Sequence, residues 1–369
     1  MRGWRLALLM VGILLIASVT GFYFISGGPR GGESSLTIYT YGSLFKYGDD
    51  PNATYAAVFG AFERQYNVNI TVRYFSDAGD IIPALLSERN SPKADLVIGL
   101  TSVLAAKAKQ ENLLQPYAPP SLSKVPTYLV NDLDPDHYVV PYEYGLIAID
   151  IDGSYINESA YPSIGSLSYE DLRAPALASS LLVENPATSS VGQDFLLSQI
   201  VFYQQVLKSD WKPWWRSVRD YVKVVPGWDD AFGIFSSANT NYHMVVSFGT
   251  DPAYSAYFNY TMYRTVVPQH NGTMYGWLQI EGMGIVNNAP HADTAKAFEE
   301  WMLSDVVQNL IPLNEWVYPA VSTVQLPDVY KFAIDPSKVS ILNNLVPTSQ
   351  LAQNLPQWLE EWQSIMAGS

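Results

Sequence analysis

The side chains that most often carry enzyme chemistry are few and scattered in this 369-residue chain. No H-E-x-x-H, G-x-S-x-G or Walker A motif occurs, and without cysteine there is no thiolate nucleophile, disulfide or thiolate metal site. The adjacent acids Asp229 and Asp230 fit the start of a helix, where carboxylates stabilise free N–H groups. The four histidines lie far apart, at His137, His243, His270 and His291. We therefore predict a protein that is not an enzyme, with no catalytic residue, no metal and no cofactor.

Aromatic side chains offer a different chemistry, since they make up 13% of the chain. Most aromatic residues belong to a core, but six of these follow predicted strands or open loops: Tyr41, Trp228, Phe248, Tyr254, Trp316 and Tyr318. A flat organic cation stacks well on such rings, each contact contributing about 0.5–2 kcal/mol. The formal net charge of −14 also favours a cationic partner and disfavours nucleic acid.

The apolar pattern predicts the elements that must position these rings. Strands are expected at residues 35–41, 68–75 and 94–100, with helices at 55–66, 81–88 and 103–111. The alternation restarts with strands at 181–184, 221–225 and 244–248 and helices at 194–207 and 229–236, and a further helix is expected at 294–310. This order is typical of parallel sheets with helices on their faces, whose ligands lie beyond the carboxyl ends of the strands.

Two long β-rich stretches, residues 139–151 and 274–286, bracket the second set of elements. A chain that crosses twice between two lobes needs two such segments. We therefore predict an α/β, two-lobed fold in which each lobe is a mainly parallel sheet flanked by helices. Lobe 1 is predicted to comprise residues 35–140 plus 287–369, and lobe 2 residues 141–286, with one ligand cleft between them.

The N-terminus predicts export. Met1, Arg2 and Arg5 precede an uncharged, mostly apolar run over residues 6–26 that is long enough to cross a bilayer. We expect residues 1–26 to be a membrane anchor or a cleaved signal peptide, followed by a linker over residues 27–34. Five N-x-S/T triplets agree with an extracytoplasmic location, at Asn52, Asn69, Asn157, Asn259 and Asn271.

Seven segments together resemble one known family. They are LTIYTYGS (36–43), ADLVIGL (94–100), VPYEYG (140–145), NPATSSVG (185–192), GWDDAFGIF (227–235), VSFGTDPAY (246–254) and IPLNEWVYPA (311–320). In this order and spacing the chain is similar to bacterial thiamine-binding proteins of ABC importers, from residue 36 nearly to the end. The resemblance implies the thiamine/iron-type branch of the class II periplasmic-binding fold. It also implies a monomer, thiamine or a thiamine phosphate as ligand, and an ABC permease with its ATPase as partners.

The resemblance also implies the ligand-binding residues. It assigns the rings of the ligand to Tyr41, Tyr254 and Trp316. Around the thiazolium arm and any phosphate it implies Ser189, Ser190, Trp228, Phe248, Gly249, Thr250 and Asp251, and in a first-lobe loop facing the ligand Asp77 and Ala78.

The chemistry of two of these ligand-binding residues supports their assignment, whereas two positions of the chain differ from the family. Ser189 and Ser190 precede a predicted helix, whose free N–H groups bind anions or are capped by these hydroxyls. Gly42 and Phe248 depart from the family, which tends to have Asp and Tyr there, so one partner for a cation and one hydroxyl are missing.

Three alternatives remain open from the sequence. A binding protein of the same fold could take another small ligand, such as ferric ion or a different organic cation. An anchored surface enzyme could act on carbohydrate through acids such as Glu143 and Asp251, and a surface adhesion module would fit the N-terminus equally well. Glu143 itself could neutralise a cation in the cleft or hydrogen-bond across the hinge, and the sequence slightly favours the second role.

Overall fold

The computed structural model describes residues 34–260 and 262–368. The predicted anchor over residues 1–26, and the predicted linker as far as residue 33, lie outside the described residues. Within the two described ranges, no helix is both long and apolar enough to cross a membrane.

The strands form one mixed sheet that passes through both lobes. Those of the described chain are β1 (Ser34–Tyr41), β2 (Val68–Phe75), β3 (Leu96–Leu100), β4 (Leu114–Gln115), β5 (Val140–Asp152), β6 (Leu181–Glu184), β7 (Lys223–Val225), β8 (Met244–Phe248), β9 (Tyr263–Val266), β10 (Gln269–His270), β11 (Thr273–Val286), β12 (Tyr318–Pro319) and β13 (Ser340–Ile341). The main path runs β2-β1-β3-β11-β5-β8-β6-β7, and the remaining short strands pair beside it.

Helices cover the sheet. They are α1 (Pro51–Tyr55), α2 (Ala61–Tyr66), α3 (Ile81–Ser87), α4 (Ser102–Gln110), α5 (Thr127–Leu133), α6 (Pro175–Ala178), α7 (Ser190–Val201), α8 (Lys212–Val218), α9 (Trp228–Phe235), α10 (Asp251–Tyr257), α11 (Ala292–Met302), α12 (Asp305–Gln308), α13 (Ile311–Asn314) and α14 (Thr348–Met366). π-type turns at Ala56–Gly60 and Phe202–Val206 join α1 to α2 and extend α7. Short 3₁₀ turns lie at Ala78–Asp80, Pro120–Lys124, Ile164–Ser166, Asp171–Arg173, Asp328–Phe332, Pro336–Lys338 and Leu342–Leu345.

The first lobe is built on β1, which pairs in parallel with β2 and β3. All five residues of β3 are buried, as expected of a central strand with helices on both faces. Aromatic rings from the π-type turn Ala56–Gly60, α2 and α11 fill the space beneath: Phe298 stacks on Phe59 at 5.8 Å and meets Phe62 edge-on at 4.9 Å. This core holds the ends of β1 and β2 at the cleft.

The second lobe is built on β6, which pairs in parallel with β7 and β8. Helix α7 is buried along its whole length and packs against strands β5, β6, β8 and β11. Two tryptophans of α8 pack beside it. Trp214 and Trp215 are each 1% exposed, and the ring of Phe195 meets both edge-on. Both tryptophans are therefore core residues of the second lobe.

Strands β5 and β11 are the two crossing segments, and they pair with each other in an antiparallel register. Glu281 lies opposite Glu143 and Gln279 opposite Gly145, and the register shifts just after Glu281. Each lobe keeps its parallel strands, while the crossing strands run antiparallel to β3 and β8. The predicted α/β two-lobed fold class is confirmed, with crossing strands that make the sheet mixed.

The C-terminal helix α14 contacts both α4 of the first lobe and α8 of the second. On the α8 side, the ring of Trp362 meets Trp215 edge-on at 5.6 Å, and Lys212 forms a 3.3 Å ion pair with Glu361. Trp362 and Trp358 belong to the hydrophobic core of the second lobe. The predicted assignment of residues 287–369 to lobe 1 and 141–286 to lobe 2 stays a prediction.

Candidate ligand-binding cleft

A cleft lies between the two lobes, beside the crossing strands. Its empty volume is about 830 Å³ with the open mouth included. Eight aromatic side chains line it: Tyr41, Tyr47, Tyr144, Trp228, Phe232, Phe248, Tyr254 and Trp316. Six carboxylates join them, from Asp77, Glu143, Asp229, Asp251, Glu281 and Glu315, and no lysine, arginine or histidine is among the lining residues.

The aromatic side chains that line the cleft are held by their packing against one another and by two indole hydrogen bonds. Trp316 follows α13 with a positive φ of 59°, an uncommon conformation for a bulky residue that is typical of functional sites. Its ring meets Tyr254 edge-on at 5.2 Å, and its indole N–H donates to the carbonyl of Tyr47 at 2.9 Å. Trp228 stacks on Phe232 at 4.9 Å and donates to Ser247 at 3.0 Å. These rings are fixed before any ligand arrives.

Two tyrosine hydroxyls and three glutamates form a cluster at the base of the cleft. The Tyr41 hydroxyl lies 2.6 Å from that of Tyr142, 3.0 Å from Glu143 Oε1 and 3.2 Å from Glu315 Oε2. The Tyr142 hydroxyl also lies 3.2 Å from Glu281 Oε2. We call these five side chains the glutamate cluster.

The pKa values of the three carboxyls in the glutamate cluster lie above that of free glutamate. Burial raises the pKa of Glu143 to about 7, although hydrogen bonds from Tyr142 and Tyr41 oppose the change. Burial, together with the nearby charge of Glu143, raises the pKa of Glu281 and of Glu315 well above the usual value. Carboxyls this close in a low-dielectric site disfavour full ionisation.

Asp77 joins the lobes by occupying the N-termini of two helices of the second lobe. Its Oδ1 accepts hydrogen bonds from the backbone N–H of Ser190 at 2.9 Å and from the Ser190 hydroxyl at 3.3 Å, at the start of α7. Its Oδ2 accepts from the N–H of Trp228 at 3.3 Å, at the start of α9. Burial raises the pKa of Asp77, and these hydrogen bonds oppose that change. A carboxylate therefore sits where helix N–H groups favour an anion.

The lobes touch at the mouth of the cleft, so the conformation is closed. The Tyr47 hydroxyl of the first lobe donates to Asp229 Oδ1 at 2.7 Å. Gly79 approaches the second lobe so closely that an added Cβ would lie 2.3 Å from the carbonyl oxygen of Thr188. Asp229 also fills the space beside Gly42, where an added Cβ would lie 2.9 Å from its Oδ2. A carboxylate thus lies where the family has an acidic side chain at position 42.

The structure brings together most of the residues that the sequence assigns to ligand binding. Those lining the cleft are Tyr41, Asp77, Ser190, Trp228, Phe248, Asp251, Tyr254 and Trp316. Four others lie behind the surface. Ser189 accepts from Gly192 N–H and so caps α7, Ala78 and Thr250 are buried, and Gly249 packs beside Leu146. Direct contact with a ligand stays a prediction for the whole set.

Several lining residues were missed by the sequence analysis. Gln279 and Glu281 alternate on a strand predicted to cross between the lobes, and that spacing of two could have revealed one polar face. Asp229 was explained by helix capping alone, whereas its carboxylate also accepts the Tyr47 hydrogen bond across the cleft. No local sequence pattern predicts a ligand-binding role for Glu315, Tyr47 or Phe232, because only the fold brings them to the cleft.

Two α/β lobes joined by two crossing strands around one small-molecule cleft define the class II fold of solute-binding proteins. A family model described as bacterial extracellular solute-binding protein matches residues 91–338, more than half of the chain. The chain therefore belongs to this family. It is the extracytoplasmic substrate-binding component of an ABC importer, and its family and relatives are binding proteins rather than enzymes.

Curated relatives match nearly the whole length. The chain is 26% identical to a thiamine-binding periplasmic protein of Brucella abortus, over 89% of this chain and 91% of that one. It is 27% identical to a thiamine-binding periplasmic protein of Salmonella typhimurium, over 92% and 95% of the two chains. Among solved structures, a periplasmic thiamin binding protein superposes with a TM-score of 0.76 at 24% identity, covering 92% of this chain and 98% of that one. This last similarity supports the fold.

Proposed function

We propose that the protein captures thiamine or a thiamine phosphate between its lobes and delivers it to an ABC permease driven by an ATPase. The observation that carries this proposal is the composition of the cleft, which combines eight aromatic rings with six carboxylates and no basic side chain. Aromatic faces and carboxylates both attract an organic cation. The names of the curated relatives support thiamine as that cation. The ligand leaves unaltered, because the proposed role is to bind and release it.

Isothermal titration of the purified protein with thiamine, thiamine monophosphate and thiamine diphosphate tests this function. We expect dissociation constants in the micromolar range or tighter for thiamine, since the rings and carboxylates are already positioned. The neutral pyrimidine half of thiamine serves as the control and should bind at least about tenfold more weakly, because it lacks the charged ring. Absence of heat with all three thiamine forms would contradict the assignment and leave the solute-binding fold unaffected.

Asp77 should set the preference among thiamine and its phosphates. Its carboxylate occupies the N-termini of α7 and α9, so a phosphate placed there meets a like charge. Asp77→Asn keeps the shape of the side chain and removes the charge. We expect the affinity for thiamine monophosphate, relative to thiamine, to rise by about tenfold in this variant, as measured by titration. An unchanged ratio would show that the phosphate lies elsewhere.

Other ligands of the same fold have less support. Ferric ion needs a set of hard ligands, and within residues 34–260 and 262–368 no three side chains from His, Asp and Glu, those of the glutamate cluster included, are placed so that they could hold one metal ion. The surface-enzyme alternative rested on Glu143 and Asp251, which lie in the cleft among aromatic rings. Incubation with thiamine followed by mass spectrometry should return the ligand unchanged.

The remaining features of the proposal concern the cell surface. We propose that residues 1–26 anchor the protein in the membrane, or are removed after export, and that the protein acts as a monomer without enzymatic activity. The apolar run and its basic start support the first point. Membrane fractionation of the full chain tests the anchor. Light scattering of the detergent-solubilised protein tests the monomeric state.

A further inference from the structure

The glutamate cluster holds more oxygen contacts than its tyrosine hydrogens can satisfy. The hydroxyls of Tyr41 and Tyr142 make four O···O contacts of 2.6–3.2 Å, to each other and to Glu143, Glu281 and Glu315. Each hydroxyl has one hydrogen to donate, so two of the four contacts must draw on another source. Protons held by the carboxyl groups would supply these two contacts in the empty protein. A bound cation would remove the need for them.

Two further polar groups at the same place have no partner. Gln279 is 1% exposed and lines the cleft, yet neither its amide oxygen nor its amide nitrogen bonds to any residue in the described ranges. Glu143 is 3% exposed, and its Oε2 is likewise without a partner there. A buried polar group left unpaired is costly, so natural proteins rarely keep several together. Gln279 and Glu143 therefore mark a place built for a ligand atom.

The surroundings of the cluster do not supply the missing positive charge. Lys46 interacts with Glu315, but it is shared with Asp229, and burial lowers the pKa of its ammonium group. Phe45 donates its backbone N–H to Glu315. No basic side chain of the described residues acts on Glu143 or Glu281. The other titratable groups that face the cluster are acids or phenols: Asp77 toward Glu281, Tyr330 toward Glu143, and Tyr47 and Tyr74 toward Glu315.

We propose that Glu143, Glu281 and Glu315, with the amide of Gln279, form the subsite that takes the positively charged part of an organic ligand, and that the ligand displaces the proton held by Glu143 when it binds. This inference rests on the proposed function of the cleft. Charge and protons are conserved in this step: the permanently charged ring enters, a carboxyl O–H bond breaks, and the proton passes to the solvent buffer. Ligand capture is then linked to pH, since protons and the cation compete for the same oxygens.

Titration calorimetry in two buffers of different ionisation enthalpy measures the protons released. At pH 7 we expect about half a proton per thiamine bound, because a Glu143 pKa of about 7 leaves that carboxyl half protonated. Thiamine affinity should fall by about fivefold from pH 7 to pH 6, as protons refill the site. Glu143→Gln should reduce both effects to near zero and weaken thiamine binding by about tenfold.

Glu299→Gln is the matched control. Glu299 is a buried carboxyl of the first lobe, 1% exposed, whose pKa burial also raises well above the usual value, but it does not line the cleft. This variant should release the same number of protons as the wild type on binding thiamine. Equal proton release by wild type and Glu143→Gln would overturn the inference while leaving thiamine binding intact.

A second pair of probes separates the inference from the proposed function. If no form of thiamine binds, the titration is repeated with 1-methylnicotinamide, a flat aromatic cation, and with neutral nicotinamide. Binding of the cation with proton release would support the subsite although the thiamine assignment had failed. Failure of the cation to bind, or equal affinity for the neutral molecule, would overturn it.

Discussion

Replacing Trp316 with alanine should weaken thiamine binding by about 100-fold, which corresponds to about 2.7 kcal/mol. The indole meets Tyr254, Tyr257 and Phe258 at centroid distances of 5.2–5.8 Å and is fixed by its hydrogen bond to Tyr47. Its loss removes an aromatic surface for the ligand and the support of the neighbouring rings. Aromatic residues in such buried positions carry most of the energy of small binding sites. Titration calorimetry of the purified variant measures the effect directly.

Trp316→Phe is the control for shape. It keeps an aromatic face, although a smaller one, and loses the indole N–H that reaches the Tyr47 carbonyl, so we expect a smaller loss of about tenfold. A thermal melt of each variant shows whether the fold survives. Full affinity in a folded Trp316→Ala protein would mean that the ligand does not contact this ring.

Replacing Gly79 with alanine should block closure of the lobes and weaken thiamine binding by about 100-fold or more. An alanine Cβ would lie 2.3 Å from the Thr188 carbonyl oxygen of the other lobe, and backbone of this kind has little room to move. The φ of Gly79 lies outside the left-handed region, so alanine fits the first lobe itself. The steric conflict therefore exists only when the lobes are together, and the open form becomes the stable one.

Small-angle scattering with and without thiamine reports this effect, alongside calorimetry. The Gly79→Ala protein should keep a larger radius of gyration than the wild type when ligand is added. Gly165→Ala is a matched control, because an added Cβ there meets nothing within 4 Å. A Gly79→Ala protein that compacts on adding thiamine as the wild type does would contradict the closed arrangement described above.

The sequence was a good guide wherever a signal is local. The strands Val68–Phe75, Leu181–Glu184 and Met244–Phe248 have the predicted bounds, because each is a short run of β-rich residues between turn signals. The crossing strands were found from their length alone. The helix expected over residues 294–310 is instead divided into Ala292–Met302 and Asp305–Gln308, with Ser304 preceding the second helix in extended conformation.

The parts of the site that were missed depend on tertiary structure. Glu281 belongs to the site because it lies opposite Glu143 on the neighbouring strand and contacts the Tyr142 hydroxyl. Only the register of the two strands brings these three residues together. For Glu143, the sequence slightly favours a hydrogen bond across the hinge over contact with the ligand. The unpaired oxygen of Glu143 and its place in the cleft now support the ligand-binding role instead. Composition predicted the acidic and aromatic character of the cleft, whereas the pairing of particular acids followed from the fold.

Helix α14 makes separate contacts with the two lobes, which has a mechanical consequence. Its first turns share a groove with α4, and its last turns pack Trp362 on Trp215 of α8. Pro356 lies within the helix at the end of that groove, before Trp362. Proline has no N–H and cannot bond to the carbonyl four residues earlier, so a helix bends more readily there. We therefore expect α14 to bend at Pro356, or to lose its contacts with α4, when the two lobes separate.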